Sequence, residues 1–300
     1  MAKILVTGGA GFIGSNIADA LIKKGHEVLI VDNLTTGKKE NINPQAKFFE
    51  KDIRHFEEIR PLFSGVDFVF HEAALPRIPL SIEKPQESND INVTGTLNVL
   101  VASKEAGVKK VIYAASSSAL GGKATLPMKE DAPCDPLNPY ALQKYVGEFY
   151  CKIFSGIYNL PTVSLRYFNV YGPRQPREGS YTPVIGIFMT QKKKGEKITI
   201  TGDGKQTRDF THVFDVVRAN ILAMESPKVG HGEVINIGGG HNHSVNEIAK
   251  MVGGEAVHIP ARPGEMSDTL ADIAKAKELL GWQPEITLEE GIKKLLENEQ

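Results

Sequence analysis

The sequence predicts an α/β fold, a doubly wound parallel sheet carrying a smaller, discontinuous second α/β domain, and three observations lead there. Apolar runs of strand length (Val28–Val31, Ala46–Phe49, Val66–Phe70, Val111–Ala115) alternate with helical or loop signals. An opening strand, Lys3–Thr7, breaks at once into Gly8-Gly9-Ala10-Gly11-Phe12-Ile13-Gly14 and resumes with helical spacing at Ile17, Ala20 and Leu21. A late apolar run, Val234–Ile237, is expected to return to the main sheet. The expected division is therefore 1–171 with about 205–240 for the sheet domain, and 172–204 with 241–300 for the other.

Taken in order, the first turn carries the most chemistry. One glycine permits the tight turn, one lets backbone amides approach a pyrophosphate, and one allows the helix to pack closely on the strand, with the helix amino terminus facing the anion. Gly8, Gly11, Phe12, Ile13 and Gly14 are the candidates for that contact, and the turn makes the sheet domain Rossmann-type. The second strand ends in Asp32-Asn33. A carboxylate there accepts both ribose hydroxyls of NAD and repels a 2'-phosphate, so NAD is expected over NADP. Asp52 and Ile53 follow the third strand, where they can reach the adenine. After Phe70 come the small residues Ala73 and Ala74, which let the backbone approach the cofactor, and then Lys84, a candidate for phosphate or ribose. An amphipathic helix is expected from Asn89 to Ala106, ended by Gly107, and a second is expected to start at Pro139. These two helices can pair with their copies in a second subunit, giving a homodimer through a four-helix bundle.

Composition narrows the class. With 41% hydrophobic and 24% charged residues at a net charge of −1, the chain can bury one large core or two coupled ones, and it lacks the basic excess of a nucleic-acid binder. The dense basic run Lys192-Lys193-Lys194 reads as a solvated helix face. Two cysteines, Cys134 and Cys151, are too few for a disulfide framework, so a reducing, cytoplasmic setting is expected. No signal peptide or membrane span is expected. His241 and His243 sit in a glycine-rich turn without a third ligand at recognisable spacing, so no metal is expected.

The second chemical signal runs from Ser116 to Lys144. Tyr140 and Lys144 are four residues apart and share a helix face. A phenol has a reference pKa of about 10, and a neighbouring ammonium favours the phenolate. Lowering it by two units takes roughly 3 kcal/mol, and a unit charge about 4 Å away at an effective dielectric of ~20 supplies roughly 4. Ser116, arriving from a strand end, can hydrogen-bond the same substrate oxygen and hold it against the tyrosine.

The joint pattern of Gly8 to Gly14, Asp32, Asp52, Ala73-Ala74, Asn92, Ser116, Tyr140 and Lys144 resembles the extended short-chain dehydrogenase/reductases over almost the full length. That resemblance implies catalysis by Ser116, Tyr140 and Lys144. Within the superfamily the chain is most similar to UDP-hexose 4-epimerases. The segment Leu165 to Gln175 resembles their strand-and-loop motif, in which Asn169 matches the asparagine that holds the sugar nucleotide. Gly202 to Phe210 and Arg262 to Glu265 resemble the segments whose arginines, here Arg208 and Arg262, bind the diphosphate. The resemblance places Thr269 beside the sugar's C2 substituent, where a small residue admits an N-acetyl group. Ser117 and Ser118 are candidate sugar contacts, and Val184 and Phe188 are candidate apolar walls of the pocket. Ala119-Leu120-Gly121 departs from the family's Val-Tyr-Gly or Thr-Tyr-Gly.

The resemblance thus implies NAD-dependent epimerisation at C4 of a UDP-sugar. A 4,6-dehydratase is disfavoured, because Ser117-Ser118 stand where dehydratases carry Asp-Glu. A decarboxylase, a reductase and a non-catalytic NAD-binding sensor are the other readings.

Overall fold

The computed structural model describes residues 1–122, 124–177, 182–260 and 268–297. In chain order its strands are β1 (Lys3–Thr7), β2 (Glu27–Asp32), β3 (Lys47–Glu50), β4 (Phe68–His71), β5 (Lys110–Ser116), β6 (Thr162–Tyr167), β7 (Val170–Tyr171) and β8 (Ile198–Thr201). There follow β9 (Thr207–Asp209), β10 (Thr211–His212), β11 (His231–Ile237), β12 (Asn242–Ser244) and β13 (Ala256–Ile259). Seven of them form one sheet in the order β11-β6-β5-β4-β1-β2-β3, with every neighbouring pair parallel. The expected return of the late strand to this sheet is seen, with Val234 to Ile237 paired to Ser164 to Tyr167. The chain winds outward from β1 in both directions, so the crevice for a ligand opens between the carboxyl ends of β1 and β4.

Period-two alternation decides the two cores. Ile4 and Val6 face one side, with Ile17, Leu21, Val216 and Trp282. Leu5 faces the other, with Val69, Val111, Leu100, Cys151 and Phe154. Both faces are covered by helices, which is why the strands read as nearly continuous apolar runs. Trp282 is fully buried and its Nε1 donates to Asp215 O at 2.9 Å, so it packs rather than meeting a ligand. A third core gathers Ile185, Phe188, Ile200, Ile248 and Ile292 around the short β8/β13 pair.

The helix expected from Asn89 to Ala106 is seen as the latter part of a longer, continuous helical run, Pro85 to Glu105, widened in its middle. A helical segment, Pro85–Asn89, passes through a wide π turn at Asp90–Thr94 into the helix Gly95–Glu105. The widened turn holds Asn92, which is buried and hydrogen-bonded away from its own helix. Its Oδ1 accepts from Leu75 N at 2.7 Å and its Nδ2 donates to Gln143 Oε1 at 2.8 Å. Among the described residues no helix is long and apolar enough to cross a membrane.

Candidate active site

The helix Pro139–Tyr158 begins as its sequence dictates. Asn138 Oδ1 accepts from Ala141 N at 2.9 Å, Pro139 occupies the first turn, and Asn159 ends the helix in the left-handed region at φ 54°. Gly147 lets the helix lie against β5, since a Cβ there would fall 2.2 Å from Tyr113 Oη. One turn further along the Lys144 face, Glu148 and Arg166 form a buried two-pronged ion pair, both contacts at 2.8 Å. The pair ties the helix to β6.

This packing brings Tyr140 and Lys144 to the carboxyl end of β5, where Ser116 is the last strand residue. The pair nominated by its spacing and the serine nominated by its strand end therefore meet. Ser116 Oγ lies 2.8 Å from Ser118 Oγ and accepts from Ser118 N at 3.2 Å, while Ser117 opens the following 3-10 turn. Lys144 Nζ donates to Ala114 O at 2.7 Å and lies 4.9 Å from the centre of the Tyr113 ring.

The electrostatics differ from the sequence expectation. Burial pushes the Tyr140 phenol up to about 12, opposed by a hydrogen bond with Ser116. Burial lowers Lys144, opposed by the negative charge of Glu72. The ammonium is committed to Ala114 and the Tyr113 face, so Lys144 alone does not give a low phenol pKa here.

A dinucleotide fits the crevice beside this cluster. Gly8 has φ 71°, and a Cβ on it would lie 2.6 Å from Ala73 N, so only glycine lets β1 and the loop after β4 approach so closely. Gly14 abuts Gly8 O in the same way, and Gly11 caps the helix Phe12–Lys23. That helix has no acidic residue in its first turn, so its amino-terminal amides, from Phe12 and Ile13 onward, stay available for a pyrophosphate. Asp32 is buried at the end of β2, accepting from Ala10 N at 3.0 Å and Leu34 N at 2.8 Å. Ala73 N donates to Thr7 Oγ1 at 3.3 Å, and Ala74 continues the same loop. Asp52 is bound by Asn33 Nδ2 at 2.8 Å and by Arg54 at 2.8 and 3.0 Å. Those bonds outweigh burial and hold Asp52 at about 2.

Three expectations change. Ile53 turns its side chain into the core against Gly95, so any purine contact falls to its main chain. Lys84 is exposed and pairs with Glu87 at 3.6 Å. Phe188 is 1% exposed inside the third core, and Val184 packs on that core, so both are packing residues rather than pocket walls. Helical spacing of apolar residues serves a core or a pocket equally well, and here the core claimed them. Arg262 lies outside the described residues.

Asn169, Arg208 and Thr269 come from distant segments and converge. Asn169 takes a left-handed backbone, φ 30°, and its Nδ2 donates to Asp209 O at 2.7 Å and to Thr269 Oγ1 at 3.4 Å. Thr269 Oγ1 also accepts from Asp209 N at 3.1 Å, and β9 carries Arg208 beside them. Asp209 itself turns inward to the amides of Gly239, Gly240 and Ala271, and burial raises it to about 6. Among the described residues no cluster of three or more His, Cys, Asp or Glu side chains is placed to hold a metal ion.

Sequence reasoning missed the residues that brace the site. His71 Nε2 lies 2.9 Å from Thr96 Oγ1, whose own proton goes to Asn92 O at 2.7 Å. Nε2 is therefore the donor, and Nδ1 accepts from Thr7 Oγ1 at 2.7 Å. Glu72 accepts from Tyr167 Oη at 2.9 Å. A carboxylate beside two alanines was the available signal, but its partner lies 95 residues away.

Comparison with known proteins agrees with this geometry. Residues 4–238 match the model of the NAD dependent epimerase/dehydratase family. The chain is 44% identical over 301 residues to a putative UDP-glucose 4-epimerase of Methanocaldococcus jannaschii, covering 98% of this chain and 97% of that protein. The crystal structure of a Thermotoga maritima UDP-glucose 4-epimerase with UDP-glucose superposes with a TM-score of 0.94 at 41% identity, covering 98% of this chain and 97% of that one. A UDP-N-acetylglucosamine 4-epimerase of Methanobrevibacter ruminantium, in complex with UDP-N-acetylmuramic acid, gives a TM-score of 0.92 at 35% identity, covering 99% of both chains.

Proposed function

The chain belongs to the NAD dependent epimerase/dehydratase family, and within it we propose that it is a UDP-hexose 4-epimerase acting on the glucose/galactose pair and its N-acetylated counterpart. The observation that carries this reading is the meeting of Ser116, Tyr140 and Lys144 at the carboxyl end of β5, one strand from the Gly8–Asp32 cofactor crevice.

When bound, NAD supplies a cationic ring that accepts hydride from the sugar's C4 and returns it to the opposite face of the 4-keto sugar. Tyr140 Oη takes the proton from the C4 hydroxyl and later gives it back. Ser116 Oγ donates to the same sugar oxygen and holds it against the phenol, with Ser118 fixing the serine. Lys144 Nζ, anchored on Ala114 O, keeps two further N–H donors for the ligand that enters the site. Asn169, Arg208 and Arg262 hold the nucleotide while the released keto sugar turns about its link to the diphosphate, so binding resides in UDP rather than in the hexose. Thr269, held by Asp209 N, is small enough to leave room beside C2 for an acetamido group.

The outward face of the helix Pro139–Tyr158 shows Leu142, Phe149, Ile153 and Ile157 at exposures from 41% to 68%. That stripe supports a homodimer built on this helix. Both cysteines are free thiols, which suits a reducing, cytoplasmic compartment.

The test is to incubate the purified protein without added cofactor with UDP-glucose, and separately with UDP-N-acetylglucosamine, following C4 configuration by proton NMR. Appearance of both galacto isomers is expected. No conversion even after NAD is added would contradict the reading, and conversion of glucose alone would contradict the assignment of Thr269.

A further inference from the structure

Glu72 is a charged side chain that the reaction above leaves unused. It is the first residue after β4, half-buried, with its backbone N–H donating to Thr7 O at 3.1 Å. Its position follows from strand order. A dinucleotide that starts at Gly8, after β1, and ends at Ser116, after β5, must pass the end of β4, which lies between them in the sheet. Gly8 confirms the closeness on one side, for a Cβ there would lie 2.9 Å from the carbonyl carbon of Glu72. Tyr167, the last residue of β6, confirms it on the other, for its partner across the ladder is Ser116 of β5.

The carboxylate is also held in place. Tyr167 Oη donates to Glu72 Oε1 at 2.9 Å and accepts from Asn220 Nδ2 at 2.8 Å, and Asn220 Nδ2 is oriented by Val216 O at 2.9 Å. Backbone approach to a cofactor requires small residues, which Ala73 and Ala74 supply; it does not require a carboxylate. A fixed negative charge does have a use at this spot. Lys144 already brings one positive charge, and an oxidised nicotinamide brings a second, so the two repel unless an anion lies beside them.

Resting on the reading that NAD is the bound oxidant, we infer that Glu72 is a positioning residue for charge, whose carboxylate stabilises the oxidised nicotinamide and so sets the ratio of reduced to oxidised cofactor during turnover. The groups facing it are Lys144 from the Pro139–Tyr158 helix, Tyr167 from β6 and the neutral Asn220 from the Val213–Glu225 helix. His71, next in the chain, is turned to Thr7 and Thr96 and stays neutral. Burial raises the Glu72 carboxyl above the ordinary carboxylate range, and the Tyr167 hydrogen bond and the Lys144 charge oppose that. Acidification therefore neutralises Glu72 at milder pH than an exposed glutamate and favours the reduced cofactor.

The experiment compares wild type, Glu72→Gln and Tyr167→Phe, each loaded with NAD and mixed with UDP-glucose. The reduced nicotinamide is read by its near-ultraviolet absorbance and fluorescence across the pH span from the ordinary carboxylate to the ordinary lysine pKa. Glu72→Gln keeps the shape and an acceptor for Tyr167, and it is expected to raise the ratio of reduced to oxidised cofactor about tenfold. It is also expected to lose the component of the wild-type profile that rises on acidification. Tyr167→Phe keeps the carboxylate but removes its donor, so the same component should move to higher pH. Wild-type ratios and pH profile in Glu72→Gln would overturn the inference and leave Glu72 a packing residue. Wild type that neither binds NAD nor reduces it with UDP-glucose would instead overturn the epimerase reading, and this inference with it.

Discussion

The cofactor half and the sugar-nucleotide half of the site are built on opposite plans. Around Gly8, Asp32 and Ala73 the work is done by backbone in a parallel sheet whose strands are mutually buried, and the bracing bonds, such as His71 to Thr7 and Thr96, are already made. Around Asn169, Arg208 and Thr269 the candidate side chains stand on short strands or in the turns beside them, brought together from positions up to 100 residues apart. The difference suits what each half holds. Under the proposed function, NAD meets preassembled main chain and the Asp32 carboxylate, whereas the UDP-sugar meets side chains gathered from distant segments.

Substitutions can break that contrast, and the largest effect should come where the two halves meet. Tyr140→Phe removes the group that moves the proton and leaves both binding surfaces intact, so turnover should fall about a thousandfold. KM and cofactor content should stay near wild type, and steady-state kinetics with a cofactor assay will show whether they do. Gly8→Ala strikes the cofactor half alone. It forces a methyl to 2.6 Å from Ala73 N and adds about 1–2 kcal/mol of left-handed backbone strain. Loss of co-purifying NAD and a lowered Tm are expected, and a variant that keeps its cofactor would show that the close approach is dispensable.

Arg208→Ala strikes the substrate half and should raise KM for UDP-glucose about 10- to 100-fold, the worth of a charged hydrogen bond, with kcat changed far less. A fall confined to kcat would place Arg208 with the reacting atoms instead. The smallest effect is the pH response of the braced cofactor half. Burial lowers His71 from 6.5 to about 3, so below pH 6.5 the unfolded chain takes a proton that the folded one refuses. Stability should therefore fall on acidification through that window, by at most ~1.4 kcal/mol per pH unit. Denaturant titrations at pH 7 and pH 5 will measure it, and His71→Asn should lessen the slope.

The same contrast explains what was legible in the sequence. The glycine turn, Asp32, and the Tyr140–Lys144 pair are local patterns of fewer than about ten residues on a strand–turn–helix or a single helix, and the parallel sheet follows from runs buried on both faces. Ser116 joined them because it ends a strand that was itself readable. What stayed hidden depends on long-range pairing. Glu72 meets Tyr167, Asn92 meets Leu75 and Gln143, and Glu148 meets Arg166 through tertiary packing that no spacing encodes. Phe188 was misplaced for a related reason. An apolar residue at helical spacing carries no mark of which neighbour it meets, and the third core settled it.

One measurement tests the central claim, that the hydrogen leaving C4 returns to the same carbon while Tyr140 handles only the hydroxyl proton. UDP-glucose is converted in deuterium oxide and the galacto product is examined by proton NMR and mass spectrometry. Complete retention of protium at C4 is the predicted result; deuterium at C4 would mean that the carbon exchanges its proton with solvent, and would contradict this account.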